Sequence, residues 1–507
     1  MADSLKQKSI KGVSWSLVEQ ILTRGINFVI GIILARLLSP TDYGLVGMLA
    51  VFIAISQIFI DGGLSSALIR QKNPDEKDYS TVYIINLGLS IFFFFLLFFT
   101  APLIADFYKQ PPLKPLLRVI ASTLVISSLA SVHNTLLTIR VDFKTKSWIS
   151  IITALVSGAI GIWCAYRGMG VWALAAQSVA ATVCCTLLLI VLVRWIPRTG
   201  FSKESFKRLF SYSSKLLGSN IIRVIYDNAY PVVIGKRFSA AALGYYSRAG
   251  QFPGVVNSTI SHALGQVTFP ILSQIQDDDE RLLSVYDKYI KLSSFVIFPV
   301  LLGLGGCAKP FILFLLTDKW AECIPLMQVL CFGLLTNTAT NINMNLLYVK
   351  GRSDLVLRLE IIKKTLAFAI LFASMPFGLM AMCIGQVLYS FIDFYLNTIC
   401  TKKILGFGIR PQLNAMAPYL LCSLCVMGEA LLVSSLVSIS WLALLISIIV
   451  CPITYWLITG AFKLYARQEA SNYISQWHLP WHFISRNSTP RRKTTSGGET
   501  DSQNGLM

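Results

Sequence analysis

Residues 24–70 read RGINFVIGIILARLLSPTDYGLVGMLAVFIAISQIFIDGGLSSALIR. An apolar run meets a short polar break at Ser39-Pro40-Thr41-Asp42. A second apolar run follows, and the glycine pair Gly62-Gly63 leads to a basic end at Arg70. Two hydrophobic runs of roughly 20 residues joined so tightly predict a transmembrane helical hairpin. Gln20, Arg24 and Asn27 are spaced i, i+4 and i+7 at its start, and a helix gathers them on one face. An unpaired polar group in hydrocarbon costs several kcal/mol, so that face is expected to meet protein or a water-filled cavity.

The composition generalises the hairpin. The 507 residues are 54% hydrophobic and 14% charged, against about 25% charged in soluble domains. Apolar runs recur along nearly the whole chain, which predicts an all-α polytopic membrane protein. About 14 transmembrane helices are expected, the first near 13–36 and the last near 440–461. A net charge of +19 would suit nucleic acid, but its distribution points elsewhere. With the N-terminus taken as cytoplasmic, 29 of the 44 lysines and arginines fall at helix ends on that side and 8 on the other. Such a bias places both termini inside and makes membrane lipid headgroups, not nucleic acid, the partners of the positive charge. The N-terminal apolar run is long, carries Glu19 and Arg24, and is expected to be retained rather than cleaved. The eleven cysteines are scattered through apolar segments without metal-ligand spacing, so no metal site is expected. No nucleophile–base pair or phosphate loop is visible, which predicts no catalytic residues, no cofactor and no enzyme activity.

The chain repeats itself. A shift of 200 lays Ser39-Pro40-Thr41-Asp42-Tyr43-Gly44 on Ser239-Ala240-Ala241-Ala242-Leu243-Gly244, and Arg36 on Lys236. A shift of 210 lays Leu136-Leu137-Thr138-Ile139-Arg140 on Leu346-Leu347-Tyr348-Val349-Lys350. This predicts two six-helix lobes, 1–195 and 209–400, joined by a basic cytoplasmic linker at 196–208. Two extra transmembrane helices at 401–467 and a mostly disordered cytoplasmic tail at 468–507 complete the chain. An even number of helices per repeat implies a pseudo-twofold axis along the membrane normal, with a binding site between the lobes.

The second lobe carries its own polar face: Asn220, Arg223, Asp227 and Tyr230, at i, i+3, i+7 and i+10. Arg248 and Gln251 add a further pair on the next helix. Two arginines across a cavity suit an anionic diphosphate, because a guanidinium offers a fixed fork that phosphate oxygens accept bidentately. The competing explanation is neutralisation within the helices, Arg223 by Asp227 and Arg24 by Gln20 or Glu19. Asp227, Glu19 and His262 are candidates for coupling to an ion. Ser127, Ser131 and Asn134 form a milder polar stripe, aligned at a shift of 210 with Asn337, Asn341 and Met344. Arg36, Lys236 and Arg237 are expected to snorkel to headgroups. Asp61-Gly62-Gly63 reads as a helix end. Lys363 and Lys364 with Glu360 line a cavity or snorkel, and Asp393 with Asn397 forms a gate contact or is solvated.

The N-terminal Leu5-Lys6-Gln7-Lys8-Ser9-Ile10-Lys11-Gly12-Val13-Ser14-Trp15 carries a family resemblance, together with Leu34-Ala35-Arg36-Leu37-Leu38-Ser39-Pro40, Asp61-Gly62-Gly63 and Ala67-Leu68-Ile69-Arg70. Over about residues 5–462 the chain resembles the bacterial polysaccharide transport family, the Wzx-type flippases of lipid-linked oligosaccharides. These belong to the MOP superfamily, which also holds the MATE drug exporters. The resemblance implies a two-lobed transporter of the bacterial inner membrane. It would carry an undecaprenyl-diphosphate-linked oligosaccharide from the cytoplasmic to the periplasmic leaflet for O-antigen, capsule or exopolysaccharide synthesis, by alternating access. It also brings polysaccharide polymerase machinery into view as a partner. The alternative is a MATE-like cation-coupled exporter of small molecules, which needs acidic rather than basic residues in its cavity.

Overall fold

The computed structural model describes residues 22–72 and 74–477. Gln20, Glu19 and the tail beyond 477 lie outside the described residues. The described chain is helical throughout. The first six segments are α1 (22–37), α2 (Pro40–Asp61) continued by α3 (Leu64–Arg70), α4 (Glu76–Tyr108), α5 (Leu113–Ser128) continued by α6 (Ser131–Ile139), α7 (Phe143–Tyr166) and α8 (Val171–Val193). The next six are α9 (Lys203–Arg237), α10 (Ala240–Gln274), α11 (Asp279–Gly306) with the short α12 (Ala308–Leu316), α13 (Cys323–Gly333) continued by α14 (Asn337–Val349), α15 (Ser353–Ser374) and α16 (Leu379–Leu405). The pair α17 (Ile409–Leu436) and α18 (Ser440–Ala461) and the short α19 (Tyr465–Trp477) follow.

Helical segments stand at all fourteen places where spans were expected. Among the described residues nine are long and apolar enough to cross a membrane, or ten if α5 and α6, bent by 44° at their junction, form one span. The four that fall short are α1, α9, α10 and α15. The described part of α1 is too short to count, while polar and charged side chains lower the apolar content of α9, α10 and α15. The second repeat starts earlier than expected, since α9 begins at Lys203 rather than near 209. At the other limit, α19 extends helix to Trp477, into the segment expected as tail.

The repeated Ser39–Gly44 and Ser239–Gly244 motifs have a structural reason. Each serine caps a helix: the Ser39 hydroxyl accepts from the Asp42 amide and the Ser239 hydroxyl from the Ala242 amide. In the first copy the Asp42 carboxylate also accepts from the Ser39 amide at 2.8 Å, closing a capping box. The two helices then cross at their starts with their backbones in contact. A Cβ on Gly44 would stand 1.6 Å from the Ala240 carbonyl oxygen, and one on Gly244 would stand 2.0 Å from that of Pro40. The contact is reciprocal, and only glycine allows it. The second glycine signal is a turn. Gly62 adopts φ 54° and its amide bonds Ile58, closing α2 as expected of a helix end.

The end of the bundle beside this crossing is clasped further. Arg36, at the end of α1, donates to the carbonyl oxygens of Leu315 (2.8 Å) and Phe314 at the end of α12. Lys319 returns to the Arg36 carbonyl at 2.5 Å, and the Trp320 indole donates to that of Ala35 at 2.9 Å. Lys236 reaches the Phe107 carbonyl at the end of α4 and lies over the Phe107 ring. Arg36 and Lys236, expected to snorkel, therefore satisfy orphan carbonyls at the ends of other helices. At the opposite end the connection after α8 is docked onto α4. Ser202 donates its amide to Thr81 at 3.0 Å, and one guanidinium nitrogen of Arg208 donates to both oxygens of the buried Asp78, at 2.7 and 2.8 Å. The α17–α18 pair packs against α11, with Tyr419 and Tyr455 around Phe295.

Gly44→Ala and Gly244→Ala are each expected to cost about 1–3 kcal/mol, the range for overpacking a tight contact. The check is the unfolding midpoint of the purified protein, which should fall in both variants. An unchanged midpoint in both would show that the helices separate there at no cost.

Candidate functional site

The helix α9 is a shared wall with a polar cavity on either side. The first, about 760 Å³, is enclosed by α2, α3, α5, α6, α7, α8 and α9. Half of its lining residues carry hydroxyl or amide side chains, among them Gln57, Ser127, Asn134, Ser150 and Thr182, and α9 contributes Asn220 and Arg223. The second, about 660 Å³, lies among α9, α10, α13 through α16 and is aromatic and charged. It is lined by Tyr226, Tyr246, Tyr389, Gln251 and Gln386 together with Asp227, Lys363, Lys364 and Asp393. Both volumes fall in the range of ligand pockets.

The expected stripe on α9 is therefore split between the two cavities. Asn220 and Arg223 look into the first, Asp227 into the second. Arg223 lies 4.0 Å from Asp227, with side chains 65% and 53% exposed, so the pair is loose and solvated. Tyr230 is buried one turn on and stacks on Tyr246 at 6.3 Å. Arg24 donates to Thr259 on α10 at 2.7 Å, tying α1 across the repeat boundary, and lines neither cavity. Asn27 and His262 are exposed and also line neither. Gln20 and Glu19 lie outside the described residues.

Arg248 has a different setting. It is 7% exposed, lies 3.9 Å over the Tyr43 ring, and donates to Gln251 at 2.6 Å. Tyr43 and Tyr245 in turn meet Trp320 edge-on. This stacked cluster belongs to the clasped end of the bundle, where a guanidinium between rings tolerates loss of water. Gln251 reaches the second cavity beside it.

The second cavity is bordered by an ionic cluster centred on the buried Lys363. Lys363, its side chain 5% exposed, bridges Asp393 and Glu360 at 2.8 Å each. Lys364 lies 3.8 Å from Glu360 and 3.4 Å over the Tyr226 ring. Asn397 donates to the Asp393 carboxylate at 3.2 Å. Lys363 and Lys364 thus line a cavity rather than snorkel, and Asp393 is half-buried, paired with Lys363 rather than solvated. The sequence hides this grouping because Asp393 belongs to α16 and the lysines to α15. The hydroxyls Ser150, Thr153, Thr182 and Thr186 also escaped notice, since a hydroxyl does not interrupt an apolar run. Their spacings of three and four residues on α7 and α8 were the available signal.

These features define a multi-pass helical membrane protein with paired polar cavities. Residues 33–325 match the family model described as polysaccharide biosynthesis protein, and the chain belongs to that family. It is 27% identical over 422 residues to the lipopolysaccharide biosynthesis protein WzxC of Escherichia coli, covering 82% of this chain and 85% of the relative. It is 26% identical over 430 residues to the succinoglycan biosynthesis transport protein ExoT of Rhizobium meliloti, covering 82% and 86%. Among solved structures, the lipid II flippase MurJ in an inward closed conformation shares the fold. Its TM-score is 0.72 at 14% identity, covering 89% of this chain and 98% of that one. An inward-facing MATE multidrug transporter of the MOP superfamily aligns with a TM-score of 0.59 at 16% identity, covering 75% and 94%.

Lys363→Ala leaves the half-buried Asp393 without its cation, while Glu360 keeps Lys364. It is expected to cost about 3–5 kcal/mol of stability, the range for breaking a buried ion pair. Lys363→Ala/Asp393→Ala should recover part of that loss. Denaturant unfolding of the two variants beside wild type checks both statements, and a double variant no better than the single one would break the pairing assignment.

Proposed function

We propose that this protein is a transporter, without a catalytic step, that moves a polyprenyl-diphosphate-linked oligosaccharide from the cytoplasmic to the periplasmic leaflet of a bacterial inner membrane. The observation that carries the reading is the pair of polar cavities on either side of α9, the first lined by Arg223, within a bundle rich in membrane-length apolar helices. A sugar–diphosphate head cannot cross hydrocarbon unaided, whereas its polyprenyl tail can stay in lipid. The relatives named for lipopolysaccharide and succinoglycan biosynthesis support this class of cargo.

The orientation follows from charge. The 29-to-8 distribution of lysine and arginine places both termini in the cytoplasm. The end clasped by Gly44, Gly244, Arg36 and Lys319 is then periplasmic, and the molecule is closed on that side. Gln57, at the first cavity, is about 25 Å along α2 from Pro40, towards the cytoplasmic side. Alternating access would require the crossing of α2 and α10 to part. The two lobes would move about a pseudo-twofold axis along the membrane normal, with the cargo between them. Arg223, on the wall of the first cavity, would hold the diphosphate through charge-assisted hydrogen bonds. An inside-negative potential favours outward movement of such an anion by roughly 2.3 kcal/mol per charge per 100 mV. Cation exchange of the MATE kind is less well supported, because Glu360 and Asp393 are already partnered by Lys363. Polysaccharide polymerase machinery is the partner such a role would serve.

Loss of the protein should make the lipid-linked oligosaccharide accumulate in the cytoplasmic leaflet. Arg223→Ala should abolish surface polysaccharide at normal protein abundance, and Arg223→Lys should restore it only in part. Measuring polysaccharide against protein level checks this. Normal polysaccharide in Arg223→Ala would remove that arginine from the cargo path.

A further inference from the structure

We propose that the cavity formed by the first six segments seats uncharged sugar units of the cargo, next to a diphosphate held at Arg223. This assignment rests on the flippase function proposed above and adds the division of the head group between sites.

The two cavities differ in chemistry although they sit in matching parts of the repeat. The second is lined by three tyrosines and four charged side chains. The first has no aromatic side chain in its lining and a wall of hydroxyls drawn from five helices: Ser65, Ser127, Ser131, Ser150 and Thr182 among them. Several of these hydroxyls donate inside the protein. Ser127 donates to Leu124, Ser131 to Ser128, Thr182 to Ser178 and Thr186 to Ile126, each to a carbonyl oxygen. A hydroxyl that donates to backbone keeps lone pairs for a ligand donor. The wall is thus rich in acceptors fixed in direction by their own helices. Donors stand beside them in Asn134 and Gln57, whose side chains make no hydrogen bond with another described residue. A ring of alternating hydroxyl groups, donor and acceptor at every carbon, is the ligand that matches such a wall.

The charges fix the second part of the assignment. The charged lining residues are Asp61, Lys146 and Arg223, each from a different helix. With Arg223 on the diphosphate, Asp61 and Lys146 offset one another, and the remaining space has no net charge for an acidic sugar. Position agrees as well. The α7 hydroxyls Ser150 and Thr153 lie in the first half of that helix and the α8 hydroxyls Thr182 and Thr186 at its middle and beyond, on the side away from the α2–α10 crossing. On the proposed orientation that is the side from which cargo is loaded.

The test measures binding of three probes to the full-length protein in lipid nanodiscs: undecaprenyl diphosphate, the same lipid bearing one hexose, and the same lipid bearing one hexuronic acid. Wild type should bind the hexose lipid about tenfold more tightly than the bare lipid, the effect of one or two net hydrogen bonds. The hexuronic acid lipid should show no such gain. Ser150→Leu/Thr182→Leu fills the cavity and should erase the hexose preference while leaving affinity for the bare lipid unchanged. Asn134→Ala removes a donor without adding bulk and should reduce the preference severalfold, and it decides the matter if the leucine variant does not assemble. A preference that survives in the variants overturns the sugar seat. A tighter hexuronic acid lipid overturns its neutrality. Wild type that binds none of the three lipids overturns the flippase reading on which the seat depends.

Discussion

The starts of α2 and α10 touch backbone to backbone, and much of the architecture follows from that contact. Gly44 lies on the Ala240 carbonyl and Gly244 on that of Pro40, so one local motif meets its own repeat 200 residues later. Between membrane helices there is little hydrophobic driving force, since lipid tails are as apolar as leucine. Close packing at small residues takes its place. Around this crossing the chain places its other long-range ties. Arg36 and Lys319 join the ends of α1 and α12, Trp320 donates to Ala35, and Arg248 is held between Tyr43 and Gln251. The clasp fixes one end of the bundle, and the hydroxyl-lined cavity lies towards the other.

The charged residues are distributed by what each can find as a partner. Asp78 is fully buried and is held by Arg208 and Gln71. Lys363 is buried between two carboxylates. Arg223 and Asp227, by contrast, stay half exposed and only loosely paired on the wall between two cavities. Burial with complete pairing fixes structure, because breaking such a pair strands a charge. Partial pairing at a cavity leaves hydrogen-bonding capacity for a ligand, which is why Arg223 rather than Arg248 fits the role of diphosphate contact.

Asn220, Arg223, Asp227 and Tyr230 do share a face in periodicity. A face several residues wide still spans a wide arc, and neighbours pack along it. The first two look into one cavity, Asp227 looks into another, and Tyr230 is covered by Tyr246. Arg24, expected opposite Arg223, is bound to Thr259 instead. The stripe was legible, and the partition of its members was not, because periodicity records a direction around one helix and nothing about which helix stands there.

The sequence by itself determined the class: apolar runs long enough to span a bilayer, the repeat visible in Ser39–Gly44 and Ser239–Gly244, and the helix end at Gly62. These depend on local chemistry, namely hydrophobic length, serine capping and glycine's access to positive φ. Only the tertiary structure decided that Lys363 meets Asp393, that Arg36 and Lys236 cap foreign helices, and that scattered hydroxyls of α7 and α8 converge on one cavity. Those groupings join residues far apart in the chain. Their energies come from burial and pairing between helices, which no single helix encodes.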